Sequence, residues 1–265
     1  MRIGVVTTSY PRHPGDPSGQ FVRGLNRYLE GLGHQVEVLA AGDGATEDID
    51  KVVRIPSSLF YRGGAPEALF AGLDAWPEAL RFSLRLGRAL VAREAGYDAL
   101  ISHWLLPCGL FTSLLAPNKP HIAIAHSSDV HLLRRLGLTA LAAYVAERAR
   151  LVYTSPSLRL PGVPGVVVPM GIDAAALRVT PAERAAAQKR LGLTSPTVLF
   201  LGRLVPIKGV AVLLEALRHR PSLQLIIAGD GPLRSQLQVQ AGPLGDRVRF
   251  VGAVDAARRK ELLSA

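Results

Sequence analysis

The chain has 265 residues, 48% of them hydrophobic and 20% charged, with a formal net charge of +10. That balance fits a globular chain of one large or two ordinary domains, and no apolar run approaches the ~20 residues of a membrane-crossing helix. MRIGVVTTSYP has neither the long apolar core nor the small-residue cleavage site of a secretory leader, and the single cysteine, Cys108, has no internal partner; both predict a cytoplasmic chain. Residues 179–265 hold 13 Lys and Arg against 6 Asp and Glu, so they carry most of the excess charge. Such an excess suits phosphate-bearing ligands or an anionic membrane face, although scattered arginines also make an ordinary solvated surface.

In chain order, RIGVVTTSY reads as a buried strand. SGQFVRGLNRYLEGLGH follows as a helix, with Phe21, Val22, Leu25, Tyr28, Leu29 and Leu32 at helical spacing, Ser18 as its cap and Gly33 as its stop. HQVEVLAAG and KVVRIPS read as strands, FSLRLGRALVAREAGY as a helix, and DALISHW and PHIAIAHSSD as two more strands. A Leu- and Ala-rich helix over about 132–149 precedes the strands ARLVYTSPS and GVVVPMGID. The pattern then restarts. TPAERAAAQKRLGL is a helix capped by Thr180 with Pro181 in its first turn. TVLFLGRL, LQLIIAGDG and RVRFVGAV are strands, each followed by a helical pattern. Repeated strand–helix alternation predicts an α/β fold of two doubly wound, Rossmann-like parallel-sheet domains, 1–178 and 179–265. The second supplies about three of the six strands such a sheet commonly has, so TVLFLGR is expected to lack a neighbour, a geometry that favours dimerisation or aggregation.

GRLVPIKG lies where a parallel strand turns into a helix, and the first amides of such a helix are unpaired and attract anions. Arg203 can fork onto phosphate oxygens and Lys208 adds a mobile charge, a pair suited to a diphosphate. AGDGPLR ends the next strand in the same way, with Gly229 and Gly231 allowing close backbone approach. A basic turn of this kind is also often no more than a solvated loop. Neither loop has the G-x-x-x-x-G-K-[ST] of a P-loop, and no G-x-G-x-x-G follows the opening strand.

Taken together, GRLVPIKGV, AGDGPLR and FVGAV resemble the donor-binding domain of the retaining GT-B glycosyltransferases of family GT4. The opening strand and loop, GLGHQVEVL, HWLLPCGL, HSSDV and PMGID have counterparts in that family's first domain. The resemblance spans nearly the whole chain. It implies a glycosyltransferase that moves a sugar from a nucleotide-diphosphate-sugar to an acceptor with retention of configuration. Arg203 and Lys208 would stabilise the leaving diphosphate, and no metal or other cofactor is then required. His126 would face the donor sugar, Asp129 would shape that site, and Ser18 and Gly19 would approach the diphosphate or acceptor. Gly202, Gly229 and Gly231 would belong to the donor loops, and Asp16, Gln20 and His103 would be weaker candidates for acceptor contact. His103 also reads as a satisfied core or rim histidine.

The family's two glutamates, eight positions apart, have no counterpart up to Ala265. The chain is therefore expected to be a fragment, half of an assembly or a degenerate protein, impaired in sugar transfer by itself. The alternative is a non-catalytic module that binds a nucleotide-sugar. Residues 59–93 mix aromatics with Arg81, Arg85 and Arg88 and could lie on anionic lipid at the inner membrane face, against the simpler reading of a helix packed on the sheet. No helix-turn-helix, zinc spacing or RNA-binding aromatic motif supports nucleic acid as a partner.

Overall fold

The computed structural model describes residues 1–42, 50–57, 59–61, 74–175 and 177–265, which form two compact units, Met1–Ile172 and Asp173–Ala265. In the first unit, β1 (Arg2–Thr7), β2 (Gln35–Gly42), β3 (Val52–Pro56), β4 (Ala99–His103), β5 (His121–Ala125), β6 (Arg150–Tyr153) and β7 (Val166–Val167) make one parallel sheet, ordered β3-β2-β1-β4-β5-β6-β7. The order reverses between β1 and β4, and in open parallel sheets that reversal opens a crevice at the carboxyl ends of the strands.

Both faces of this sheet are covered, so its strands read as continuous apolar runs. Ile3, Val5, Val36, Val38 and Ile101 pack on one face with Val22 of α1 (Gln20–Gly31). Val6, Leu39 and Leu100 pack on the other with Phe82, Leu86 and Leu90 of α2 (Ala75–Val91). Each of those three α2 side chains is fully buried, which stabilises the fold by roughly 1.5–3 kcal/mol apiece. The remaining helices of this unit are α3 (Leu110–Leu115), α4 (Ser127–Leu136) and α5 (Thr139–Arg148).

Three local expectations are corrected. The helix read over 132–149 is two helices, α4 and α5, divided at Gly137. On α1 the buried residues are Val22 and Asn26, whereas Phe21 lies at the edge of exposure and Tyr28 and Leu32 face outward. Ser18 is not the α1 cap either. Gly19 takes that position with φ 63°, and a Cβ there would lie 2.3 Å from the Ser9 carbonyl oxygen, so only glycine fits. α3 had no counterpart in the sequence reading. Of the stretch 59–93, residues 62–73, including Glu67, lie outside the described residues.

The second unit holds β8 (Thr197–Leu201), β9 (Gln224–Ala228) and β10 (Val248–Gly252) in a parallel sheet ordered β10-β9-β8. Leu225 and Ile227 face α7 (Val210–Arg218) and α8 (Arg234–Ala241), and Ile226 and Ala228 face α6 (Pro181–Leu191) and α9 (Ala256–Ser264). Thr180 caps α6 as expected: its hydroxyl accepts from the Glu183 amide at 3.2 Å while the Glu183 carboxylate accepts from the Thr180 amide at 2.7 Å.

The loops after β8 and β9 are joined backbone to backbone. Gly202 N donates to Ala228 O at 3.0 Å, Leu204 N to Asp230 O at 2.9 Å, and Leu233 N to Leu204 O at 3.1 Å. A Cβ on Gly229 would sit 1.8 Å from the Gly202 carbonyl oxygen, which no side-chain movement can relieve. Gly229→Ala is expected to destabilise this unit by at least ~3 kcal/mol, against ~1 kcal/mol for Thr180→Ala, which loses only a cap. Urea unfolding of the two variants measures the difference.

Candidate functional site

Parallel register builds the first unit's site. His103 at the end of β4 pairs with Ile124 of β5, and His126 lies two residues further on, so it returns to the same side of the sheet beside His103. The rings stack with centroids 5.4 Å apart and an interplanar angle of 18°, and His103 Nδ1 is 3.1 Å from His126 Nε2. Phe21 and Trp104 close on the His126 ring at centroid distances of 5.0 and 4.8 Å.

Trp104 holds a left-handed backbone, φ 67°, unusual for a residue with a Cβ and worth of order 1–3 kcal/mol of strain. Its amide donates to Ile124 O at 3.0 Å, its carbonyl accepts from Gly109 N at 2.9 Å, and its indole donates to Ser128 Oγ at 3.0 Å. Beneath this turn the Asp129 carboxylate accepts the amides of Leu105 at 2.5 Å, His126 at 2.9 Å and Val130 at 3.0 Å. Burial pushes Asp129 up to about 7, with the Leu105, His126 and Val130 amides pulling in the opposite direction. Burial likewise drives His103 down to about 3, with the neighbouring His126 adding to the effect, and His126 down to about 4. Both imidazoles are therefore neutral at ordinary pH.

Above them opens a cavity of about 460 Å³, lined by Phe21, Trp104, His126, Ser128, His131 and Ser155 among others. Its walls offer hydroxyls, imidazoles and aromatic faces and, among the described residues, no carboxylate. That chemistry suits a neutral, hydroxyl-rich ligand. No cluster of three or more metal-ligating side chains occurs among the described residues.

Other candidate residues organise the loop between β1 and α1. Asp16 is 1% exposed: its carboxylate accepts from Arg12 N at 3.0 Å, Arg12 Nε at 2.7 Å and Ser18 N at 3.0 Å. Burial alone would raise the Asp16 carboxyl, but the bonds from Arg12 and Ser18 outweigh it and hold the group below its usual value. Gln20 Nε2 donates to Asp16 O at 2.5 Å. Asp16 and His103 are thus buried beneath the site, and Gly19 packs closely against the Ser9 carbonyl. The Asp129 carboxylate is occupied in the same way, whereas Ser18 stays partly exposed.

In the second unit Arg203 and Lys208 are exposed on the loop after β8, Lys208 closing the 3-10 turn Pro206–Lys208 just before α7. Gly229 and Gly231 serve the packing of the two loops, since a Cβ on Gly231 would lie 2.6 Å from the Leu204 carbonyl oxygen. The residues missed by sequence reasoning are Phe21, Ser128, His131 and Ser155. Phe21 fitted the apolar period of α1, and the others become neighbours only through the strand order β4-β5-β6.

Residues 18–176 match the family described as Glycosyltransferase Family 4, and residues 182–265 match Glycosyl transferases group 1. The chain belongs to glycosyltransferase family 4. It is 42% identical over 273 residues to the phosphatidyl-myo-inositol mannosyltransferase of Mycobacterium leprae, covering 97% of this chain and 68% of that one. It is 35% identical over 281 residues to the GDP-mannose-dependent alpha-(1-6)-phosphatidylinositol monomannoside mannosyltransferase of Mycobacterium tuberculosis strain H37Rv, covering 96% and 68%. The chain thus spans about two thirds of the length of these relatives. Among solved structures it resembles the sucrose-phosphate synthase of Thermosynechococcus elongatus, with a TM-score of 0.74 at 21% identity and coverage of 99% of this chain and 72% of that one. It also resembles Anabaena HepE in complex with UDP-glucose, with a TM-score of 0.67 at 19% identity, covering 100% and 71%. These likenesses establish the GT-B fold.

Two buried histidines and the part-buried His126 govern the pH response of the first unit, because His121 is also held down to about 4 by burial. A folded-state value below the unfolded one means that the unfolded chain binds more protons, so stability is intact above about 6.5 and falls as pH drops toward 4. Asp129, raised instead, opposes this with one proton against three. Urea unfolding followed by tryptophan fluorescence is expected to show lower stability at pH 5 than at pH 7.

Proposed function

We propose that this chain transfers a sugar from a nucleotide-diphosphate-sugar to a lipid-linked acceptor of the phosphatidylinositol type, with retention of configuration and without a metal. The observation that carries the reading is the pairing of two chemistries: exposed Arg203 and Lys208 before a helix start in one unit, and a carboxylate-free, hydroxyl-lined cavity beside a neutral His126 in the other. In the reaction the bond from the anomeric carbon to the diphosphate oxygen breaks and the acceptor oxygen bonds to that carbon on the same face. The acceptor proton passes to the departing phosphate. Arg203 and Lys208 neutralise the charge gathering on the diphosphate, a role in which one preorganised donor is worth ~3 kcal/mol. His126 meets the transferred sugar. The two named mannosyltransferases support a lipid acceptor, and GDP-mannose is the donor in one of their names.

The outward face of α2 supports contact with a membrane. Trp76, Leu80 and Leu84, at i, i+4 and i+8, are 42%, 61% and 52% exposed, beside Arg81, Arg85 and Arg88. An apolar stripe flanked by arginines, on a helix already anchored by its opposite face, fits the interface of an anionic bilayer. No helix among the described residues is long and apolar enough to cross a membrane.

Arg203→Ala and Lys208→Ala are each expected to lower kcat about 10²–10³-fold in an assay with GDP-mannose and phosphatidylinositol vesicles. Unchanged turnover after charge reversal at both positions would sink the reading. Flotation should show binding to anionic but not zwitterionic vesicles, weakened by salt and abolished by glutamate at positions 81, 85 and 88; absence of binding at low salt removes the membrane contact.

A further inference from the structure

Resting on the reading of the His126 cavity as the sugar site, we propose that His103 is a positioning residue for His126. Its Nδ1 engages His126 Nε2 and fixes the orientation and the proton placement of the ring that faces the cavity.

The geometry is specific. His103 is fully buried and touches no ligand space, yet its Nδ1 lies 3.1 Å from His126 Nε2 and the two rings are within 18° of parallel. A neutral imidazole carries one N–H and one lone pair, so of two nitrogens facing each other one donates and the other accepts. Whichever ring donates, the choice made at this contact dictates which nitrogen of His126 is protonated and which face of its chemistry the cavity meets. His103 Nε2 is buried with no hydrogen-bond partner among the described residues. Burial of a polar atom without a partner costs free energy, and a core built only for stability would fill this place with an apolar ring. The imidazole at position 103 is thus explained by its one bond, the bond to His126.

Among the described residues no other hydrogen bond to His126 Nε2 occurs. Phe21 and Trp104 contact the ring through their aromatic systems, and the polar bond of the Trp104 indole goes to Ser128 Oγ. Asp129 fixes the backbone of His126 through its amide. The aromatic walls limit where the ring can lie, the start of α4 faces one side of it through the Asp129 amide, and His103 holds the Nε2 side.

The test separates an amide at the Nδ1 position from one at the Nε2 position. Asn at 103 places a side-chain amide near the former His103 Nδ1, whereas Gln extends beyond it. His103→Asn is expected to keep kcat near wild type, and His103→Gln to lower kcat by about 10²-fold with little change in the KM for GDP-mannose. In the wild-type protein, ¹⁵N-labelled histidine should show a scalar coupling between His103 Nδ1 and His126 Nε2 across the hydrogen bond, and the His126 titration should move upward in His103→Gln but not in His103→Asn. Equal behaviour of the two variants, or no coupling in the wild type, overturns the assignment. The ring measurements need no turnover, so a protein that transfers no sugar yet shows the coupling would count against the proposed reaction and leave the histidine pair standing.

Discussion

The first unit's site depends on one buried carboxylate. Asp129 gathers the amides of Leu105, His126 and Val130, which belong to the turn after β4, the end of β5 and the first turn of α4. The Leu105 and His126 amides would otherwise be unsatisfied in the interior, because a turn and a helix start have no ladder to join, whereas the Val130 amide also donates to His126 O at 3.3 Å. One side chain satisfies both and shares the third with the helix. The carboxyl group also lies at the amino end of α4, where the helix dipole favours its ionised form against the burial that raises it. With the strand ends pinned this way, the left-handed backbone of Trp104 is tolerated, and His103, Trp104 and His126 come together as one aromatic assembly.

The second unit solves the same problem with backbone instead of side chains. The loops after β8 and β9 exchange hydrogen bonds directly because Gly229 and Gly231 have no Cβ to hold them apart. Their polar groups are thereby satisfied internally, and the cationic side chains of Arg203 and Lys208 remain on the exposed surface. Asp230 turns back into this arrangement: its carboxylate accepts from the Gly231 amide and from Arg234, which hold it below its usual value. A hydrogen-bonded loop pair that presents exposed cations suits a ligand whose charge changes during reaction.

The strands were legible because their apolar runs are long and both sheet faces are covered, so β1, β2, β4, β5, β8 and β9 need no long-range information to be found. Thr180 and Glu183 were legible for the same local reason, since a capping box is written within four residues. The buried face of α1 was not, because Phe21, Val22, Leu25 and Leu29 offer a period without saying which edge of the stripe meets the sheet. The break at Gly137 was hidden by leucines and alanines that suit either one helix or two. In the site, His126 and Asp129 and the roles expected of them could be named from the HSSD turn through family resemblance, but the hydrogen bonds that hold them could not. His103 and His126 are 23 residues apart. Only the β4–β5 register places them side by side, and only the fold shows that Asp16, Asp129 and His103 are buried.

The neutrality of the histidine pair connects this architecture to the proposed chemistry. As an activated sugar loses its diphosphate, positive charge accumulates on the ring oxygen and anomeric carbon. An imidazolium against that sugar would oppose the change, by an amount that grows as water is excluded. A carboxylate would stabilise the charge but could also capture the carbon, and the cavity presents none. The arrangement around His126 avoids both. Burial among Phe21, Trp104 and His103 disfavours its cation, and the nitrogen facing His103 is already committed to a hydrogen bond. What remains toward the cavity is an uncharged ring held in one place, which can meet a sugar without opposing the positive charge that develops as the diphosphate departs.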